Sequence, residues 1–182
     1  MAKKLILGAV LGGLVIFAWG TVSWMLLPWH GKTLKTFTNE VTVARVVRQN
    51  APEAGTYLLL PSHWEHPTPE QRTVPKGFMF FGTVRHETPE MRVYYLRGLG
   101  IEMLGALLIA WLVSTLPGLS YWDRVRVAGM MGLGAGVLAR LPDWNWWGFS
   151  RGFTLTAILD LTLTWFLAGL VIVKILGERR TS

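Results

Sequence analysis

Three ionisable residues, Glu102, Arg140 and Asp160, stand inside or at the edge of apolar stretches of the sequence. A charge at the centre of a bilayer costs upward of about 2.5 kcal/mol, so such groups are expected to face a protein interior or water and are functional candidates by default. With a helical rise of about 1.5 Å per residue, Glu102 lies roughly 8 Å inside Arg97 and Asp160 roughly 10 Å inside Phe153, measured from one side. Arg140 closes its own stretch on that side. Asp160 shares a stripe at four-residue spacing with Thr156 and Thr164, a polar helix face. Two chemistries fit: a proton or ion site, or an Arg140–Asp160 pair that locks helices together. The second is favoured, because a lone acid makes a poor relay.

A second group is His63-Trp-Glu65-His66, with His86-Glu87 and His30 elsewhere. Nitrogen and carboxylate ligands of this kind suit zinc or copper. His63 and His66, however, fall in a proline-rich stretch rather than on a helix that would converge their rings, so solvated surface histidines are expected. No Ser-His-Asp order, phosphate-binding glycine loop or paired catalytic carboxylates is made out. The absence of cysteine excludes disulfides and thiolate metal sites. A third group is Leu141-Pro-Asp143-Trp144-Asn-Trp146-Trp147-Gly-Phe149-Ser-Arg151. Interfacial anchoring accounts for its tryptophans. The alternatives are a docking surface, since tryptophan and arginine are enriched at interaction hot spots, or the lining of a quinone or lipid-headgroup site.

The elements that must hold these groups are read from the apolar blocks. The chain has 182 residues, 51% of them hydrophobic, and ten tryptophans, which is unusual for a soluble domain of this size. A hydrocarbon core of about 30 Å takes about 20 helical residues. Helix one is expected from Leu5 to Leu27, stopped by Pro28, as an uncleaved anchor too long for a secretory signal. Helix two is expected from Arg97 to Leu116, starting earlier if Thr88-Pro89-Glu90 caps it. Helix four is expected from Phe153 to Ile175. For helix three the uncharged run Val127 to Ala139 is short, and the crossing is argued from charge. Lys3, Lys4, Arg124, Arg126, Arg179 and Arg180 fall on one side only if it crosses. Gly8 with Gly12, and Ala128 with Gly132 and Gly136, supply small-residue grooves for close helix packing, the second expected to receive the Asp160 face. The formal charge of +7 is spread along the helix flanks, which argues against nucleic acid.

Residues 1–29 thus form the first membrane segment, 30–95 an extracytoplasmic domain and 96–182 the remaining three helices. The middle part is predicted to be a small α+β insertion: a helix from Asn39 to Arg48, strands over Gly55–Leu60 and Gly77–Val84, and a loop from Pro61 to Pro75. The fold class is mainly α, a polytopic membrane protein with four transmembrane helices.

Leu27-Pro28-Trp29-His30, Gly55-Thr-Tyr57 through Pro61, Asn145-Trp-Trp-Gly-Phe149, and Asp160 with Trp165-Phe-Leu-Ala-Gly169 together resemble an uncharacterised family of small bacterial four-helix inner-membrane proteins. That family has no assigned activity, cofactor or substrate, so the resemblance implies an inner-membrane location and carries over no functional residues. The function predicted is a non-enzymatic accessory subunit of a larger inner-membrane complex, respiratory or photosynthetic. Next come a small transporter or ion-conducting homo-oligomer using Glu102 and Asp160, and a periplasmic-side metal-handling protein. Both termini are expected in the cytoplasm. The expected partners are membrane lipids, a bound lipid included, and that complex; no cofactor is expected.

Overall fold

The computed structural model describes residues 1–75, 77–85, 87 and 90–177. The chain divides into a helical unit, Met1–Leu34 with Glu90–Asn145 and Phe149–Ser182, and a smaller unit, Lys35–Pro89 with Trp146–Gly148. The helical unit contains α1 (Ala2–Thr21), α3 (Met91–Ser114) and α5 (Arg151–Leu176), while α4 (Tyr121–Trp147) runs from the helical unit to the smaller one; α2 (Glu40–Asn50), β1 (Gly55–Leu59) and β2 (Phe80–Val84) belong to the smaller unit.

Among the described residues three helices are long and apolar enough to cross a membrane: α1 with its continuation to Leu26, α3 and α5. α4 has the length, about 40 Å at 1.5 Å per residue, but Asp123, Arg124, Arg126, Arg140 and Asp143 shorten its apolar middle. The four expected spans therefore reduce to three on composition. α4 is nevertheless longer than Val127–Ala139, because its charged flanks remain helical and Pro142 removes only one backbone donor. α1 begins at Ala2 and widens after Thr21 into a π-helical turn, Val22–Leu26. Leu27 is extended, as a residue before proline prefers. α3 starts at Met91, ahead of Arg97, with Glu90 at its N-cap; Thr88 and Pro89 lie outside the described residues.

Small residues let the helices approach closely. A Cβ added to Gly8 would stand 3.6 Å from the Ala110 Cβ, and one on Gly12 3.2 Å from the Ala106 Cβ and 2.8 Å from Ile172. Along the earlier turns of α5, Gly132 packs against Trp165 and the Leu161 carbonyl, Gly136 against Ile158, and Ala128 against Gly169. The partner residues fall as those of α4 rise, so α4 and α5 run antiparallel. The apolar core, including Ala106, Ile109, Val113, Val125 and Ile172, lies toward the end where α5 finishes. There two cations satisfy its last carbonyls: Lys4 Nζ donates to Leu176 O at 3.0 Å and the Arg124 guanidinium to Gly177 O at 2.8 Å. Cations at a helix C-terminus are favoured by the unpaired carbonyls and the dipole.

Backbone meets backbone at Gly13, where an added Cβ would lie 2.8 Å from Met103 Cα and 2.9 Å from its backbone nitrogen. Backbone cannot rotate out of the way as a side chain can. Gly13→Ala is expected to separate α1 from α3 and cost about 1–3 kcal/mol. Gly100→Ala, which meets nothing within 4 Å, is expected to gain up to about 1 kcal/mol of helix propensity. Thermal unfolding in mild detergent compares the two; equal melting temperatures would contradict the packing.

In the smaller unit Asn39 caps α2, its Oδ1 accepting from the Thr42 N–H at 2.9 Å. β1 pairs antiparallel with β2, Gly55 opposite Val84 and Leu59 opposite Phe80. The connecting segment is less irregular than expected. It contains two 3-10 turns, Pro61–His63 and Gln71–Thr73.

Candidate functional site

Asp160 is where the helical unit concentrates its buried polar groups. The π turn after Thr21 carries Ser23 to the side of α1 that Trp19 also uses, and Pro28 lets the chain fold back so that His30 tucks beneath Trp24. Trp19 Nε1 and Ser23 Oγ both donate to Asp160 Oδ1, at 2.8 and 2.7 Å. His30 Nε2 stands 3.1 Å from Asp160 Oδ2 and 3.1 Å from Ser23 Oγ. Trp29 Nε1 donates to Ser23 through its carbonyl and its hydroxyl, at 3.0 and 3.1 Å. The His30 ring stacks on Trp24 with centroids 3.9 Å apart and planes 4° from parallel. A π-helical turn of this kind is frequent at functional sites.

The hydrogen-bond partners fix the roles. An ionised carboxylate only accepts, and the hydroxyl hydrogen of Ser23 is directed at Asp160, so Nε2 is assigned the ring hydrogen and donates to Oδ2. In a neutral ring Nδ1 is then a bare acceptor. It is buried without a hydrogen-bond partner, in a residue only 2% exposed. Ser23, His30 and Asp160 thus meet, although no such order was expected. Their geometry differs from that of an activated nucleophile, in which the base takes the serine proton and the acid orients the far ring nitrogen. Here the serine proton points at the acid and the far nitrogen is the one left over.

A cavity of about 300 Å³ opens beside this network, and His30, Glu102, Arg140, Asp160 and Thr164 line it with the rings of Trp24 and Trp165. Glu102, Arg140 and Asp160, from three different helices, therefore share one space. The expected Arg140–Asp160 pair does not form. The Arg140 guanidinium donates to Asp143 at 3.1 Å, one turn along its own helix, and Asp160 is occupied by the α1 segment. Asp160 does not lie on the Gly132 and Gly136 groove either, since Ile158, Leu161 and Trp165 fill it. Thr164 Oγ1 donates to the Asp160 carbonyl at 2.7 Å; Thr156 is half-buried and does not line the cavity.

His30, expected on a solvated surface, is among the most buried side chains. His63 and His66 are exposed, and among the described residues no three His, Cys, Asp or Glu side chains are grouped for a metal. His86 lies outside the described residues. In the tryptophan-rich segment Trp144 and Trp147 are exposed and Trp146 is 73% exposed, Trp147 lies 5.4 Å from Phe81, and Phe149 5.4 Å from Phe153. Trp19, Ser23 and Trp29 are not marked out in the sequence as site residues. The one signal was the four-residue spacing of Trp19 and Ser23, which puts both on one helix face.

These features define a helical protein with three helices suited to a membrane and a polar cavity lined by residues of α1, α3, α4 and α5. No family model matches the chain, and no curated protein or solved structure matches it.

Proposed function

We propose that the chain is a four-crossing protein of the bacterial inner membrane, with both termini cytoplasmic, whose cavity holds a proton or small cation between Asp160 and Glu102. The observation that carries the reading is that both acids and His30 line one cavity within apolar helices. Arg140 is the cavity's cation, and Asp143 draws off its charge. What remains favours a positive guest. The objection that a lone acid makes a poor relay weakens once a second acid and a histidine share the space.

Four crossings are supported by the antiparallel course of α4 along α5 and by Lys4 and Arg124 meeting at the end of α5, as well as by the resemblance to four-helix inner-membrane proteins. A reporter fused at the C-terminus is expected to read as cytoplasmic, and one inserted near Glu70 as exported. An exported C-terminus would remove α4 from the membrane and with it the topology. For the site, the purified protein in liposomes under a pH gradient is expected to pass protons faster than empty liposomes, and Asp160→Asn to bring the rate back to theirs. Wild-type flux equal to that of empty liposomes rejects proton movement; repeating the measurement with sodium and potassium gradients rejects or retains the cation form.

A second reading, an accessory subunit of a larger complex, is favoured by the exposed Trp146 with Trp111 and Trp122. Co-migration with a large assembly on a native gel after gentle solubilisation would put this reading first.

A further inference from the structure

A separate groove lies at the start of α5. It has a volume of about 270 Å³ and is lined by Leu141 and Trp144 of α4 with Arg151, Thr154 and Leu155 of α5. Ser150 caps the helix: its Oγ accepts from the Phe153 N–H at 3.2 Å and its carbonyl from the Thr154 N–H at 3.0 Å. The N–H groups of Arg151 and Gly152 have no partner within the helix and sit at the positive end of its dipole. The Arg151 guanidinium makes no hydrogen bond or ion pair among the described residues.

Thr154 supplies an independent sign of a ligand. It is 3% exposed, and its Oγ1 is buried without a partner. Helical threonines usually satisfy this hydroxyl on the carbonyl four residues back. Two in this same helix do so: Thr162 donates to Ile158 O at 2.8 Å and Thr164 to Asp160 O at 2.7 Å. Thr154 leaves the Ser150 carbonyl to its own N–H and holds its hydroxyl unpaired in the groove wall. A buried hydroxyl without a partner is destabilising, and a bound acceptor would relieve that cost.

We propose that this groove binds one membrane phospholipid. Its phosphate sits on the Arg151 guanidinium and the first N–H groups of α5, and an ester carbonyl of its glycerol accepts the Thr154 hydroxyl hydrogen. Thr154 lies three residues along the helix, about 4–5 Å deeper than Arg151, which follows the order of phosphate, ester and acyl chain in a leaflet. Leu141 and Leu155 offer the acyl chain an apolar wall, and Trp144 stands where an interfacial ring belongs. The largely apolar wall selects a lipid over free phosphate. The inference rests on α5 crossing the membrane, but not on the Asp160 cavity holding a cation.

The test is native mass spectrometry of the protein in mild detergent with phosphatidylglycerol, alone or against inorganic phosphate. One retained lipid per chain is expected. Arg151→Gln removes charge-assisted bonds and is expected to lower retention roughly tenfold or more. Thr154→Val should lower it and Thr154→Ser preserve it, which a general loss of fold would not do; circular dichroism checks that each variant keeps its helices. Retention unchanged in Arg151→Gln and Thr154→Val overturns the site, and displacement by millimolar phosphate overturns the lipid in favour of a free anion. Release of the protein from membranes by an alkaline wash would instead sink the membrane reading itself.

Discussion

Asp160→Leu is expected to destabilise the helical unit by about 3–5 kcal/mol, because it strands three buried donors at about 1–3 kcal/mol each. Leucine leaves the hydrogens of Trp19 Nε1, Ser23 Oγ and His30 Nε2 directed at an apolar group. Asp160→Asn should be milder and cost about 1–3 kcal/mol, the range for one unpaired buried polar group. Its amide oxygen can still accept from Trp19 and Ser23, but its amide nitrogen then faces Nε2, donor against donor. The ring escapes by moving its hydrogen to Nδ1. That nitrogen has no acceptor in its buried position, so the penalty is transferred rather than removed. Melting temperatures of the two variants in one detergent order the costs, and nitrogen-15 spectra of the histidine side chains report the tautomer. A leucine variant that melts with the wild type would show that the network contributes nothing to stability.

The acid was legible in the sequence, whereas its partners were not. A carboxylate inside Phe153–Ile175 stands out because apolar helices rarely carry one, and Glu102 and Arg140 stand out for the same reason. Their convergence on one cavity depends on helix rotation. The small-residue pattern limits this without fixing it. Gly132 and Gly136 were read as the seat of the Asp160 face, yet the same glycines admit the bulk of Trp165 and Ile158, and that packing turns Asp160 toward α1. Ser23 and Trp19 look like ordinary members of an apolar helix, and their four-residue spacing puts them on one face without saying that this face meets Asp160. His30 follows a proline and a tryptophan and so reads as the first residue of a surface loop. Only the return of the chain beneath Trp24 buries it. Arg140 was paired with the wrong acid because a partner one turn away competes with a distant one at little conformational cost. The cap of α2 and the β1–β2 pairing were easier, since local hydrogen bonding decides them.

The partnership between His30 and Asp160 can be measured directly by combining Asp160→Asn with His30→Phe. Phenylalanine keeps a ring that can stack on Trp24 but carries no nitrogen, so Asp160 loses one donor and the vacated polar positions lose their hydrogen bonds. His30→Phe alone is therefore expected to destabilise. The informative quantity is the cost of Asp160→Asn in its presence. With histidine at position 30 the amide forces the tautomer change and strands Nδ1–H; with phenylalanine there is no tautomer to change. Asp160→Asn should thus cost less in the His30→Phe background than in the wild type. Residues in one hydrogen-bonded network typically show coupling of about 0.5–3 kcal/mol, whereas independent sites add to within about 0.3–0.5 kcal/mol. Denaturant or thermal unfolding of the four proteins closes the cycle. Additive costs would mean that the 3.1 Å contact between ring and carboxylate is a meeting of neighbours without energetic consequence. His30→Gln serves as the control, because its amide nitrogen can still donate to Oδ2. In that background Asp160→Asn meets an amide that can flip rather than a ring that must move its hydrogen, so its cost should again fall below the wild-type value.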